Sequence, residues 1–145
     1  MQLKTFISLA AVFTSLVGGA AAQASFVRLP TANSTLTQGH HFVVQLVRPN
    51  SIQGSIEVGL AIGVLTCTPG FPCPDPTSQM GTVLYNGQYN PKLHELPGEP
   101  YENFTLTIPT GLPTGQSQIG VVRLHLIGAG PSAVLEQHAV PVTVV

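Results

Sequence analysis

Between Ile56 and Val64 the chain alternates strictly. Ile56, Val58, Leu60, Ile62 and Val64 take one parity, and Glu57, Gly59, Ala61 and Gly63 take the other. A period of two with branched aliphatics on one side is the pattern of a half-buried strand. A helix would scatter the five aliphatics around its axis, and Gly59 and Gly63 would each weaken it by ~1 kcal/mol. The stretch Ser51–Val64 therefore reads as the central strand of a β-sandwich, with those aliphatics in the core. Its other face is nearly bare, since Gly59, Ala61 and Gly63 leave exposed backbone or a flat surface. A large side chain from a neighbouring strand is the simplest cover, and a binding partner is the alternative.

The first residues have the form of a secretory signal. Lys4 supplies the positive start, Phe6–Val17 the apolar run, and Ala20-Ala21-Ala22 a small-residue cleavage site. This divides the chain into a signal peptide, residues 1–22, and a single domain, residues 23–145, with cleavage after Ala24 as the alternative. The apolar run is too short to span a bilayer, so no membrane insertion is expected. Without Lys4, four basic residues (Arg28, Arg48, Lys92, Arg123) face six acidic ones. That balance excludes the electrostatic footprint of a nucleic-acid binder and argues against polybasic membrane attachment.

The two cysteines lie in Cys67-Thr-Pro-Gly-Phe-Pro-Cys73. In a secreted chain an even pair reads as a disulfide, here one that staples a loop locally. Closing so short a loop gains ~2 kcal/mol. The spacing fits neither a CxxC redox site nor a zinc knuckle.

Along the chain, Ser25–Leu29 is a short strand ended by Pro30, and Thr31–Thr37 is a polar connection. Phe42–Val47 follows, with Phe42, Val44 and Leu46 on one face, and then the central strand. Met80–Tyr85 is a fourth strand, and Gln88–Pro100 a loop rich in Pro, Gly and acids. Tyr101–Ile108 alternates cleanly, with Phe104, Leu106 and Ile108 inward and Asn103, Thr105 and Thr107 outward. In Ile119–Ile127 the aliphatics Val122, Leu124 and Leu126 are expected inward, and Val121, Arg123 and His125 outward. Val134–Val145 changes parity partway, which a bulge near Pro141 would reconcile. About seven antiparallel strands without a helix indicate an all-β sandwich of immunoglobulin or fibronectin type III kind. Two N-glycosylation sequons, at Asn33 and Asn103, fall on exposed positions.

No motif for catalysis emerges, so the chain reads as a non-enzyme. Gly128-Ala-Gly130-Pro131-Ser-Ala133 matches GxGxxA formally, but Pro131 and a strand follow where a dinucleotide site needs a helix. His40, His41, His94, His125 and His138 are scattered, with His125 and His138 expected on an exposed face, so neither metal nor cofactor is expected. No GxSxG elbow is present. Asp75 sits in the Pro-rich loop, and Glu95, Glu99 and Glu102 share an acidic loop without aromatic sugar platforms.

At Ser51–Val64 and Gly111–Val144 the chain resembles a fungal family, the necrosis-inducing secreted proteins. The resemblance is carried by Ile52-Gln53 before EVGLAIGV, the punctuation PTGLPTG, the turn IGAGPSAVLE and the terminal VPVTVV. It implies a small secreted effector of fungi living on plants. Such a protein would act in virulence by binding host receptor-associated kinases and suppressing immune signalling. The expected partner surface is exposed sheet, including Gly59, Ala61, Gly63, Arg123 and His125, or an edge strand open to strand addition. An extracellular carbohydrate or cell-wall binding module is the alternative, and an adhesion or coat domain a third reading.

Overall fold

The computed structural model describes residues 24–52 and 54–145; the signal-peptide segment lies outside them. Eight strands form: β1 (Phe26–Leu29), β2 (Ser34–Leu36), β3 (His41–Val47), β4 (Ser55–Thr66), β5 (Thr82–Gly87), β6 (Tyr101–Thr107), β7 (Gly115–Ile127) and β8 (Ser132–Val144). They build a three-stranded sheet, β1-β3-β6, and a five-stranded sheet, β2-β8-β7-β4-β5. Long central strands in one sheet facing a smaller antiparallel sheet are the immunoglobulin-like sandwich that the alternation predicts. Every pairing is antiparallel except β2 with β8.

β2 was expected to be part of a polar connection. Its only large apolar residue, Leu36, is buried, and pairing with Val142–Val144 holds it there. Three residues with one core anchor carry no period, which is why they read as a loop.

Between the sheets lie Val44 and Leu46 from β3, Leu60, Ile62 and Val64 from β4, Phe104 and Leu106 from β6, and Ile119 and Val121 from β7. The last strand adds Val140, Val142 and Val144. β6 keeps the expected register, with Asn103, Thr105 and Thr107 exposed and paired along β3. The strand β7 does not. Val121, Arg123 and His125 point inward, and Val122, Leu124 and Leu126 form the outer, half-exposed parity.

The parity of β8 needs no bulge at Pro141, because its register against β7 runs unbroken from Ser132 to Val144. Glu136 and His138 share the inward face with Val140, Val142 and Val144, so that face changes from polar to apolar along one regular strand. The irregularity sits in β4, where Glu57 pairs His125 and Gly59 pairs Leu124, leaving Val58 as the extra residue. The bulge places Glu57 on the core side along with Leu60, Ile62 and Val64. It leaves Ile56 and Val58 exposed, against the expectation that all five aliphatics are buried.

Cys67 and Cys73 are joined, with their Cα atoms 5.1 Å apart, and the loop they open folds back over the outer face of the large sheet. Gln118 donates to the Pro74 carbonyl at 2.7 Å, and Gln137 Oε1 accepts from the Thr77 amide and hydroxyl. Met80 and Pro76 then lie on the cross-strand glycines Gly63 and Gly120. A Cβ at Gly63 would stand 2.6 Å from Met80 Cγ and 2.7 Å from its carbonyl oxygen. Gly63→Val is therefore expected to destabilise the fold by about 1–3 kcal/mol through overpacking. A urea midpoint unchanged in this variant would contradict the seating of the loop.

Candidate functional site

At the end of the sandwich away from Val144, polarity is reversed: charges face in and leucines face out. Cross-strand partners share a face of the sheet, so the pairings Glu57↔His125 and Arg123↔Glu136 gather these side chains between the layers. Arg123 is 0 % exposed. Its Nε and Nη2 donate to the two carboxylate oxygens of Glu57 at 2.8 and 2.6 Å, and Nη1 donates to Glu136 Oε2 at 2.7 Å. A planar guanidinium suits this fork, because two parallel bonds to one carboxylate leave further donors for a second.

The shell around it is polar too. Arg48 Nη1 donates to Glu57 Oε1 at 3.1 Å and to Ser55 Oγ at 3.0 Å. The amide and hydroxyl of Ser25 each donate to Glu136 at 2.7 Å. The ring of Tyr89 lies 5.6 Å from the Arg123 guanidinium carbon, and its hydroxyl donates to the Leu46 carbonyl at 3.0 Å. Two arginines and two glutamates thus balance in charge, which is the condition for burying ions at tolerable cost.

Burial alone would push the Glu57 carboxyl up. The hydrogen bonds and charges of Arg123 and Arg48 outweigh it and hold the group below the ordinary carboxylate value. Burial, joined by the Arg123 charge, pushes His125 and His138 below the ordinary imidazole value. His125 Nδ1 is buried without a hydrogen-bond partner.

Ser25 Oγ lies 2.9 Å from His138 Nε2, the spacing of a nucleophile and its base. Glu136, however, approaches that same nitrogen at 3.9 Å and also bonds the serine hydroxyl. An orienting acid belongs on the opposite ring nitrogen, and Ser25 is itself buried. The arrangement ties the segment before β1 to β8 and lacks the geometry of a nucleophilic triad.

The outer face at this end is the complement of the cluster. Ile56 is 60 % exposed and Leu135 58 % exposed, with the half-exposed Leu124 and Leu126 between them on β7. Pairing sets Ile56 beside Leu126, Gly59 beside Leu124, and Leu124 beside Leu135. None of the outward positions of β4, β7 and β8 carries a charge. The Cys67–Gly81 segment covers the far half of the face, at Gly63 and Gly120, and the half around Leu124 is open.

Of the surface expected from sequence, Gly63 lies under Met80, a loop residue rather than a side chain of a neighbouring strand. Gly59 has open space beside it, with the Gly87 carbonyl oxygen 4.0 Å from where its Cβ would be, and Ala61 is half-exposed. Arg123 and His125 are not surface residues; they occupy the inward parity of β7 and are buried. His125 and His138 are not directly opposite each other, since His125 pairs Val134 and His138 pairs Val121. Glu57, Glu136, Arg48 and Ser25 escaped the sequence reading, although opposite charges on three separate strands were an available signal for the first two.

The chain is thus an all-β sandwich with a charged cluster around the buried Arg123 inside one end and an uncharged, partly exposed apolar sheet face behind it. The Nis1 family model matches residues 20–143, and the chain belongs to this fungal effector-like family. No curated protein matches the sequence.

Proposed function

We propose that this chain is a secreted, non-enzymatic effector that binds a host protein through the open half of its large sheet. Receptor-associated kinases of plant immune signalling are the partner class, and suppression of that signalling is the effect. The observation that carries this reading is the uncharged patch of Ile56, Leu124, Leu126 and Leu135. Depletion of charge at the centre of a patch distinguishes interface cores from ordinary surface. Family membership supports the effector assignment, and the disulfide supports secretion. A carbohydrate-binding module is less favoured, because Tyr89 and Tyr101 are buried and unavailable as sugar platforms.

The test is affinity capture from plant extract, with Ile56→Glu/Leu135→Glu as the matched variant. Both positions are exposed, so the folded state should change by no more than about 0.5 kcal/mol. Wild-type protein is expected to recover a kinase, and the variant at least about tenfold less, as when a desolvated anchor is lost. Full recovery by a folded variant would move the interface elsewhere. Failure of folded wild-type protein to capture any kinase would overturn the partner class.

A further inference from the structure

On the opposite sheet, a groove of about 410 Å³ runs beside β6 and is lined by Asn90, Lys92, His94, Tyr101, Glu102 and Asn103. Asn103 heads the sequon Asn103-Phe104-Thr105 and is exposed on the outward parity of β6. Gln45 Nε2 donates to Asn103 Oδ1 at 2.9 Å. This bond holds the amide oxygen toward β3 and turns Nδ2, the atom that would carry a sugar, away from Gln45. Tyr101, two residues earlier on the same strand, shares this face. It is fixed by backbone bonds with Lys92 in both directions, at 3.1 and 2.9 Å, and its hydroxyl donates to Glu95. His94 stacks on it with ring centroids 4.1 Å apart.

We propose that Asn103 carries an N-linked glycan and that this groove is the seat of its first N-acetylglucosamine. A sugar ring has an apolar C–H face and a polar rim. The groove offers the exposed His94 ring, held from behind by the buried Tyr101, as its aromatic wall, beside hydrogen-bonding side chains from Lys92, Asn90 and Glu102. The sugar comes from a polyprenyl-diphosphate-linked oligosaccharide through the secretory transferase. Asn103 Nδ2 forms a bond to C1, the C1–O bond to the diphosphate breaks, the polyprenyl diphosphate leaves, and the amide gives up one proton to the transferase. Asn33, the other sequon, lies in a turn at φ 65° with its N–H donated to the Pro141 carbonyl. It does not line the groove beside β6, so it serves as the internal control.

The full chain would be secreted from a fungal host and treated with peptide N-glycosidase in heavy-oxygen water, then mapped by peptide mass. An isotope tag at position 103 is expected, and its absence would overturn occupancy. Release from the native protein should be several-fold slower at Asn103 than at an occupied Asn33, or than at Asn103 itself after denaturation. The thermal midpoint of His94→Ser should fall further below wild type when both are glycosylated than after enzymatic deglycosylation, because the stack on Tyr101 is lost in both forms and the sugar contact only in the first. A tagged Asn103 with a His94→Ser effect equal in both forms would refute the seat. Occupancy and release rate are read on the wild-type chain, so a His94→Ser variant that fails to be secreted leaves both of those tests standing.

Discussion

Arg123→Met is expected to cost about 3–5 kcal/mol of folding free energy, the largest loss of any single substitution proposed for this chain. The guanidinium is fully buried and is the common partner of Glu57 and Glu136. Removing it strands two carboxylates in a space they share only because it is there. Arg48 still reaches Glu57, but Glu136 keeps only Ser25 and the more distant His138. A domain of this size has about 5–15 kcal/mol of stability in total, so the variant should unfold at a markedly lower urea concentration. Arg123→Lys should recover little of the loss, since one ammonium cannot reproduce a bidentate bond plus a third. The triple variant Arg123→Met/Glu57→Gln/Glu136→Gln should recover more than Arg123→Lys does, because no buried charge is then left unpaired. A loss below about 1 kcal/mol in the single variant would show that the cluster behaves as a solvated surface pair.

How much of this was legible in the sequence depends on whether polarity and burial agree. In β6 they do. Phe104, Leu106 and Ile108 alternate with Asn103, Thr105 and Thr107, and the strand folds in the register that pattern predicts. In β7 they conflict. Both parities carry aliphatics, and the polar pair Arg123 and His125 tips a reading based on polarity toward the wrong face. What sends these residues inward is the chemistry of the two neighbouring strands, since Arg123 sits opposite Glu136 and reaches Glu57. Such pairing is invisible until the strand order is known. The apparent parity break in β8 was the trace of the same fact, with two polar residues at inward positions imitating a bulge. The true bulge at Val58 left no trace, because Ile56 and Val58 have the same aliphatic character as Leu60 and Ile62. The candidate surface is half legible: glycine and alanine on the outer face of β4 mark it, but alternation alone places Ile56, Leu124 and Leu126, which help complete it, in the core.

Acid should weaken the fold in two stages, the first beginning well above the carboxylate range. His125 and His138 are held below the ordinary imidazole value by burial and by the Arg123 charge. As pH falls through about 6.5, the unfolded chain takes up protons that the folded chain refuses. Stability therefore declines from there until the lower folded values are reached. Glu57 adds the second stage. Its folded value is depressed, so its contribution is complete above its unfolded value near 4.5 and is lost as pH drops toward the folded one. Each unit of displacement corresponds to about 1.4 kcal/mol. His125→Phe keeps an aromatic ring and removes the buried nitrogen that lacks a partner. That variant should flatten the first stage and, at pH about 5, be more stable than wild type by about 1 kcal/mol. Glu57→Gln should flatten the second stage while lowering stability at neutral pH. Urea midpoints between about pH 4 and 8 decide the matter. A wild-type midpoint that rises from pH 7 to 5 would mean that Glu136 draws His138 into its charged form inside the fold. The cluster would then work as an acid-strengthened latch on the Ser25 segment, the opposite of the neutral-imidazole arrangement argued from burial.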